Sequence, residues 1–200
     1  MYVEHITLKD VVTRCCDDEP GRGRSCCVEI DSTNPRHPMR FAYADPPYIG
    51  QAKKHYQSEE VDHATLIGLL VRWFPDGWAL SCSSPSLKEI LPLCPPDVRV
   101  MAWVKPFCSF KPNVGVAYAW EPVIVRGGRK RTREQATVRD FVSANITLRR
   151  GLSGAKPERF GLWLCEVLNM DRGDTLEDLY PGTGAVTKAW EKYQAQGVLL

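Results

Sequence analysis

The residues best suited to chemistry stand in "FAYADPPYIG", 41 to 50, where an apolar run ends on Asp45 and is followed by Pro46, Pro47 and Tyr48. The two prolines fix their own φ angles and push each preceding residue toward extended geometry, so the turn is rigid and the Pro46 carbonyl is aimed. The Asp45 carboxylate and the Pro46 carbonyl together offer two acceptors a short distance apart, a pair that fits an -NH2 group. Tyr48 offers a ring on which a planar base stacks, a contact worth about 1–3 kcal/mol. The plainer alternative makes Asp45 a cap after a strand and Tyr48 a lid over the core.

A second stretch, "DLYPGTG" at 178 to 184, places Gly182 and Gly184 in a strand-to-helix turn. Glycine lets backbone approach a ligand closely, and the following helix directs free N–H groups and its positive end toward an anionic or carboxylate-bearing group. A structural turn needs the same glycines. No Gly-Lys-Ser/Thr follows and no GxGxxG is present, which disfavours a nucleotide-phosphate enzyme. A third feature, "RGGRKRTR" at 126 to 133, packs Arg126, Arg129, Lys130, Arg131 and Arg133 into eight positions. It reads either as a solvated loop or as an arm that contacts nucleic-acid phosphates by releasing counterions.

These residues need a scaffold, and the chain of 200 residues, 44% hydrophobic and 25% charged, is long enough for one substantial core. No apolar run approaches the roughly 18 residues of a membrane span, and "MYVEHITLKD" lacks the layout of a signal peptide, so a cytoplasmic protein is expected. Four of the eight cysteines form the adjacent pairs Cys15-Cys16 and Cys26-Cys27. Adjacent cysteines point apart, whereas metal sites use CxxC spacing, so no metal is expected.

Residues 1–38 carry little periodicity and read as a loosely organised extension; 39–200 read as one domain with a basic loop insertion at about 126–153. Strands are expected at 40–44, 77–83, 98–104, 119–128 (bent at Pro122) and 174–180. Helices are expected at 58–74, capped by Ser58, and at 85–93, 155–170 and 185–196. Strands alternating with helices imply a mostly parallel sheet covered on both faces, with ligands at the carboxyl ends of its strands. Glu121 and Ser81 lie at or near such ends, though each type is more often structural there. Trp78, Trp103, Trp120 and Trp163 fall in apolar runs and are expected in the core.

Taken together, Asp45-Pro46-Pro47-Tyr48, the segment 154–168 and "DTLEDLYPGTGAV" (174–186) resemble the S-adenosylmethionine-dependent amino-methyltransferases of nucleobases whose catalytic motif precedes the cofactor motif. The likeness covers about residues 39–190. It implies a three-layer Rossmann-like methyltransferase fold with a circularly permuted motif order. It also implies that Asp45 and the Pro46 carbonyl accept from the target amine and that Tyr48 holds the flipped base. Asp178, Tyr180, Gly182 and Gly184 would cradle the cofactor, with Lys156 as a partner for its carboxylate. Within that family, aspartate in the first motif position favours adenine N6, and tyrosine in the fourth favours DNA.

The chain departs from the family in stopping at Leu200, where two more strands and an acidic ribose ligand are expected; Glu29 or Asp31 in "CCVEID" is a candidate replacement. A reduced sheet of this kind implies weak cofactor binding, a homodimer or partner subunit that completes it, or loss of activity. So short a chain fits a phage or mobile-element gene. The expected activity is methyl transfer to adenine N6 in DNA. The alternatives are a cytosine-N4 or RNA amine methyltransferase, or a catalytically silent module that binds nucleic acid.

Overall fold

The computed structural model describes residues 37–50, 60–107, 114–146 and 155–196. Its core is a six-stranded sheet built from β1 (Arg40–Ala44), β2 (Gly77–Ser81), β3 (Arg99–Val104), β4 (Trp120–Gly127), β5 (Phe141–Ser143) and β6 (Thr175–Asp178), in the order β5-β3-β4-β2-β1-β6. β1 runs parallel to both β2 and β6, β3 runs parallel to β5, and β4 runs antiparallel to β2 and β3. The sheet is therefore mixed, its one reversed strand being β4.

Period-two alternation divides each strand between two cores. Phe41 and Tyr43 of β1 join Trp103, Val123, Phe160, Leu164 and Trp190 on one face, beneath α3 (Glu158–Val167) and α4 (Ala185–Gln196). Ala42 and Ala44 turn to the other face with Leu66, Leu70, Trp78, Leu80 and Ile124, beneath α1 (His63–Trp73) and α2 (Leu87–Ile90). Small side chains on that face of β1 let α1 lie close. On the first face, Gly161 serves the same purpose, since a Cβ there would meet the Ala189 Cβ at 2.5 Å.

The strands begin and end close to where the sequence places them, with three corrections. First, α1 starts at His63 rather than 58, because the Asp62 carboxylate accepts from the backbone N–H groups of Ala64 (3.0 Å) and Thr65 (3.2 Å) and so takes the capping role expected of Ser58, which lies outside the described residues. Second, the basic stretch read as connection contains β5, whose Phe141 pairs with Ala102 at the sheet edge. Third, Trp120 is not a core residue: it opens β4 and stays 41% exposed, while Trp78, Trp103 and Trp163 are buried.

At the opposite edge, β6 pairs only with β1 among the described residues. The cysteine pairs and "CCVEID" lie outside the described residues. No described helix is long and apolar enough to cross a membrane, and no described group of three or more His, Cys, Asp or Glu is placed to hold a metal ion.

Candidate active site

Because β1 and β6 are parallel neighbours, their carboxyl ends emerge side by side. Tyr43 is in register with Asp178, and the Leu179 N–H donates to the Tyr43 carbonyl at 2.9 Å. Asp45-Pro46-Pro47-Tyr48 leaves the end of β1, and the Gly182–Gly184 loop leaves the end of β6. The two motifs, 133 positions apart from Asp45 to Asp178, thus share one edge of the sheet.

Four charged groups converge there from four segments. Lys156, just before α3, has a side chain only 5% exposed, and its Nζ lies 2.9 Å from Asp45 and 3.0 Å from Glu121 Oε2. Glu121 is the second residue of β4, and its Oε2 also accepts from the Tyr48 hydroxyl at 2.8 Å. Lys105, just past β3, closes the set with an ion pair to Glu121 Oε1. The Trp103 ring adds a favourable aromatic wall to both ammonium groups, its centroid 4.8 Å from Lys105 Nζ and 5.2 Å from Lys156 Nζ. Beneath, the Tyr43 hydroxyl shares a 2.8 Å hydrogen bond with Ser81.

Burial sets the protonation of these groups. It acts to lower the Lys156 pKa, but the Asp45 carboxylate, with Tyr43, Tyr48 and Glu121 behind it, overrides that effect and holds the ammonium firmly charged. Burial likewise pushes Glu121 up, yet Lys156 and Lys105 together bring its carboxyl down to about 2. Asp45 goes the other way, raised chiefly by burial, with Lys156 opposing and Glu121 adding. Two carboxylates near one ammonium are thereby driven apart in acidity.

The second loop is more open. Gly182 and Gly184 take positive φ angles of 49° and 69°, and a Cβ at Gly184 would meet nothing within 4 Å. Asp178 accepts from Thr187 Oγ1 at 3.3 Å through Oδ2, while its buried Oδ1 has no hydrogen-bond partner. Burial first, and then the nearby Asp45, push its carboxyl up to about 6. Tyr180 is half-buried beside it.

The structure brings Asp45, Pro46, Pro47, Tyr48, Lys156, Asp178, Tyr180, Gly182 and Gly184 to one edge. Tyr48 is not in the open, however, but half-buried with its hydroxyl engaged, and Lys156 is bound to Asp45 and Glu121. The basic arm does not join them. Gly127 at its start pairs with Gly77 at the amino end of β2, so the arm leaves the opposite edge, about 13 Å along the strand from Ser81. Arg126 donates its Nε–H to both oxygens of Asp97, at 2.9 and 3.0 Å, Arg129 pairs with the fully buried Asp174 carboxylate at 2.5 Å, and Arg131 donates to the carbonyls of Ala136 and Glu166. Only Lys130, Arg131 and Arg133 of the five are exposed. Much of the arm is a strap that ties β4 to the end of α3.

Glu121, a residue type more often structural at a strand end, belongs to the site, and so does Lys105, which no local motif marks. The signal available was an acid inside the otherwise apolar run "WEPVIV".

No family model and no curated protein matches the chain. Solved structures do match it, two of them as follows. The structure described as M1.HpyAVI–SAM complex matches with 15% identity over 78% of this chain and 79% of that one, at a TM-score of 0.51. The structure described as M1.HpyAVI matches with 12% identity over 78% and 77%, at a TM-score of 0.52. With the mixed six-stranded sheet between helical layers, this likeness shows the Rossmann-like methyltransferase fold.

Proposed function

We propose that the chain transfers a methyl group from S-adenosylmethionine to the exocyclic N6 amine of adenine in DNA. The observation that carries this reading is the parallel pairing of β1 with β6, which sets the Asp45 loop beside the Gly182–Gly184 loop at the carboxyl edge of a methyltransferase fold. The resemblance of the two motifs supplies the chemistry, and a solved neighbour described as a SAM complex supports the cofactor.

The glycine loop fits that cofactor on its own terms. A buried carboxylate oxygen without a donor, at Asp178 Oδ1, suits an ammonium, and the free space over Gly184 suits close approach of a ligand. Asp178, Tyr180, Gly182 and Gly184 are the residues that would hold it. When bound, S-adenosylmethionine supplies an electrophilic sulfonium methyl. Asp45 and the Pro46 carbonyl accept N–H hydrogens of the target amine, which keeps the nitrogen lone pair out of the ring. As the new N–C bond forms and the methyl's bond to sulfur breaks, leaving a neutral thioether, the amine nitrogen becomes positive; the Asp45 carboxylate balances that charge and accepts the proton the nitrogen then sheds. Tyr48 gives the extruded base a stacking surface. Lys156 is assigned to Asp45 and Glu121 rather than to a cofactor carboxylate, since both carboxylates already hold it. Lys130 and Arg133 remain for backbone contacts at the far edge, and the outer edge of β6 is where a second copy or a partner subunit would extend the sheet.

The test is to incubate the protein with labelled S-adenosylmethionine and unmethylated DNA or RNA, digest to nucleosides and identify the product by mass spectrometry. N6-methyladenine from DNA, lost in Asp45→Ala, is the expected result. N4-methylcytosine or transfer confined to RNA would replace the substrate, and no transfer with intact folding would leave a nucleic-acid-binding module.

A further inference from the structure

Glu121 stands at the centre of the site without belonging to either motif. Its two oxygens hold three groups: Lys105 on Oε1, and the Lys156 ammonium (3.0 Å) and the Tyr48 hydroxyl (2.8 Å) on Oε2. The Lys156 ammonium also reaches Asp45 at 2.9 Å and is otherwise walled by the rings of Trp103 and Phe160, at 5.2 and 5.9 Å. That ammonium is therefore divided between two carboxylates, and what Glu121 takes of it Asp45 does not have to neutralise. A carboxylate has about four lone-pair sites, so Asp45 holds Lys156 with room for a further N–H, and it accepts that N–H more strongly the less of its charge the ammonium neutralises.

We infer that Glu121 is the positioning residue of this site: it shares the Lys156 ammonium with Asp45 and holds the Tyr48 hydroxyl, so that Asp45 keeps part of its charge for the substrate amine while the Tyr48 ring is held in place. The inference rests on the amine-methylation reading for its last step, but the charge balance it describes belongs to the protein alone. The groups facing Asp45 are Lys156, Glu121, Lys105, Tyr43, Tyr48, Asp178 and Cys82, drawn from every segment packed against it. Of these, Glu121 is the acid whose removal leaves both lysines to Asp45.

Glu121→Gln keeps the size and an oxygen for Tyr48 and removes the charge. Two readouts follow. In a carbon-detected NMR titration of the Asp45 carboxyl, its midpoint should fall by about one pH unit relative to wild type. In steady-state kinetics with nucleic acid and S-adenosylmethionine, kcat should fall by about a hundredfold with the cofactor KM within about twofold, and the acid limb of the pH profile should move down with Asp45. Glu121→Asp retains the charge with a shorter reach, so its Asp45 midpoint should stay at the wild-type value while kcat drops. Circular dichroism verifies folding of each, and Glu121→Asp serves if Glu121→Gln does not fold. An Asp45 midpoint equally displaced in Glu121→Asp, or unmoved in Glu121→Gln, overturns the inference. So does a loss of kcat in Glu121→Gln with a stationary acid limb, which is what mere structural damage would give. A wild-type protein that methylates nothing, with the expected Asp45 shift still seen in Glu121→Gln, would sink the proposed function and leave the charge balance standing.

Discussion

Lys156 Nζ lies 2.9 Å from the Asp45 carboxylate across 111 positions of chain, with the lysine side chain 5% exposed. A buried ammonium with two carboxylate partners cannot be removed quietly, since Asp45 and Glu121 would be left as like charges in a dry site. Replacing Lys156 by Met is expected to destabilise the fold by about 3–5 kcal/mol at pH 7. Urea denaturation followed by circular dichroism measures this, and adding Asp45→Asn should restore part of the loss. A neutral Lys156→Met would contradict the ion-pair geometry.

Asp178 sets a pH dependence of the opposite sign from the usual carboxylate. Its folded-state pKa of about 6 exceeds its ordinary value, so the folded chain binds the extra proton, and stability from this group is present at low pH and lost as pH rises from about 4 through about 6. Asp178→Asn abolishes that loss. The variant should be more stable than wild type at pH 8 by up to about 3 kcal/mol, with little difference at pH 4. The same substitution removes the carboxylate charge that would meet an ammonium, so titration calorimetry should show weaker S-adenosylmethionine binding even as the urea midpoint climbs.

Glu121 gives the ordinary sign. Its carboxyl is held at about 2 by Lys156 and Lys105, so the stability it confers is complete above about 4.5 and disappears as pH falls toward 2. Acid unfolding of wild type should therefore steepen below about pH 4, and this steepening should be absent in Glu121→Gln.

Tyr48 separates a ring from a hydroxyl. Tyr48→Phe loses one hydrogen bond to Glu121, about 1 kcal/mol, and should leave substrate KM within a fewfold. Tyr48→Ala loses the stacking face and should raise KM by about 1–3 kcal/mol in equivalent binding energy. Equal effects of the two substitutions would argue that the ring does not touch a base.

The basic arm should divide into strap and surface. Arg129→Ala leaves the Asp174 carboxylate, 0% exposed, without its guanidinium and should cost about 3–5 kcal/mol in a denaturant melt. Lys130→Ala and Arg133→Ala should be within about 0.5 kcal/mol of wild type in stability. If these two meet phosphates, each lowers the salt slope of nucleic-acid binding by about one unit in a fluorescence-anisotropy titration across ionic strength.

What the amino-acid sequence determined by itself was local. The alternation of Phe41 and Tyr43 against Ala42 and Ala44 specifies a strand buried on both faces. Pro46 and Pro47 stop that strand, and the glycines at 182 and 184 allow the positive φ turn that launches α4. Each follows from dihedral preference or side-chain period, properties of a few consecutive residues. β5 escaped because three residues in a polar stretch carry too little period to be seen, and become a strand only when Val142 is buried against β3. The partners of Asp45 escaped for a different reason. Whether a lysine at 156, a glutamate at 121 and a lysine at 105 meet, and whether a basic arm starts at the same edge as the site or the other, depends on strand order and direction. The reversal of β4 decides it, carrying Glu121 at its amino end to the Asp45 edge and Gly127 at its carboxyl end to the opposite one. Charge and polarity say what a side chain needs, but long-range pairing alone says which partner lies within reach.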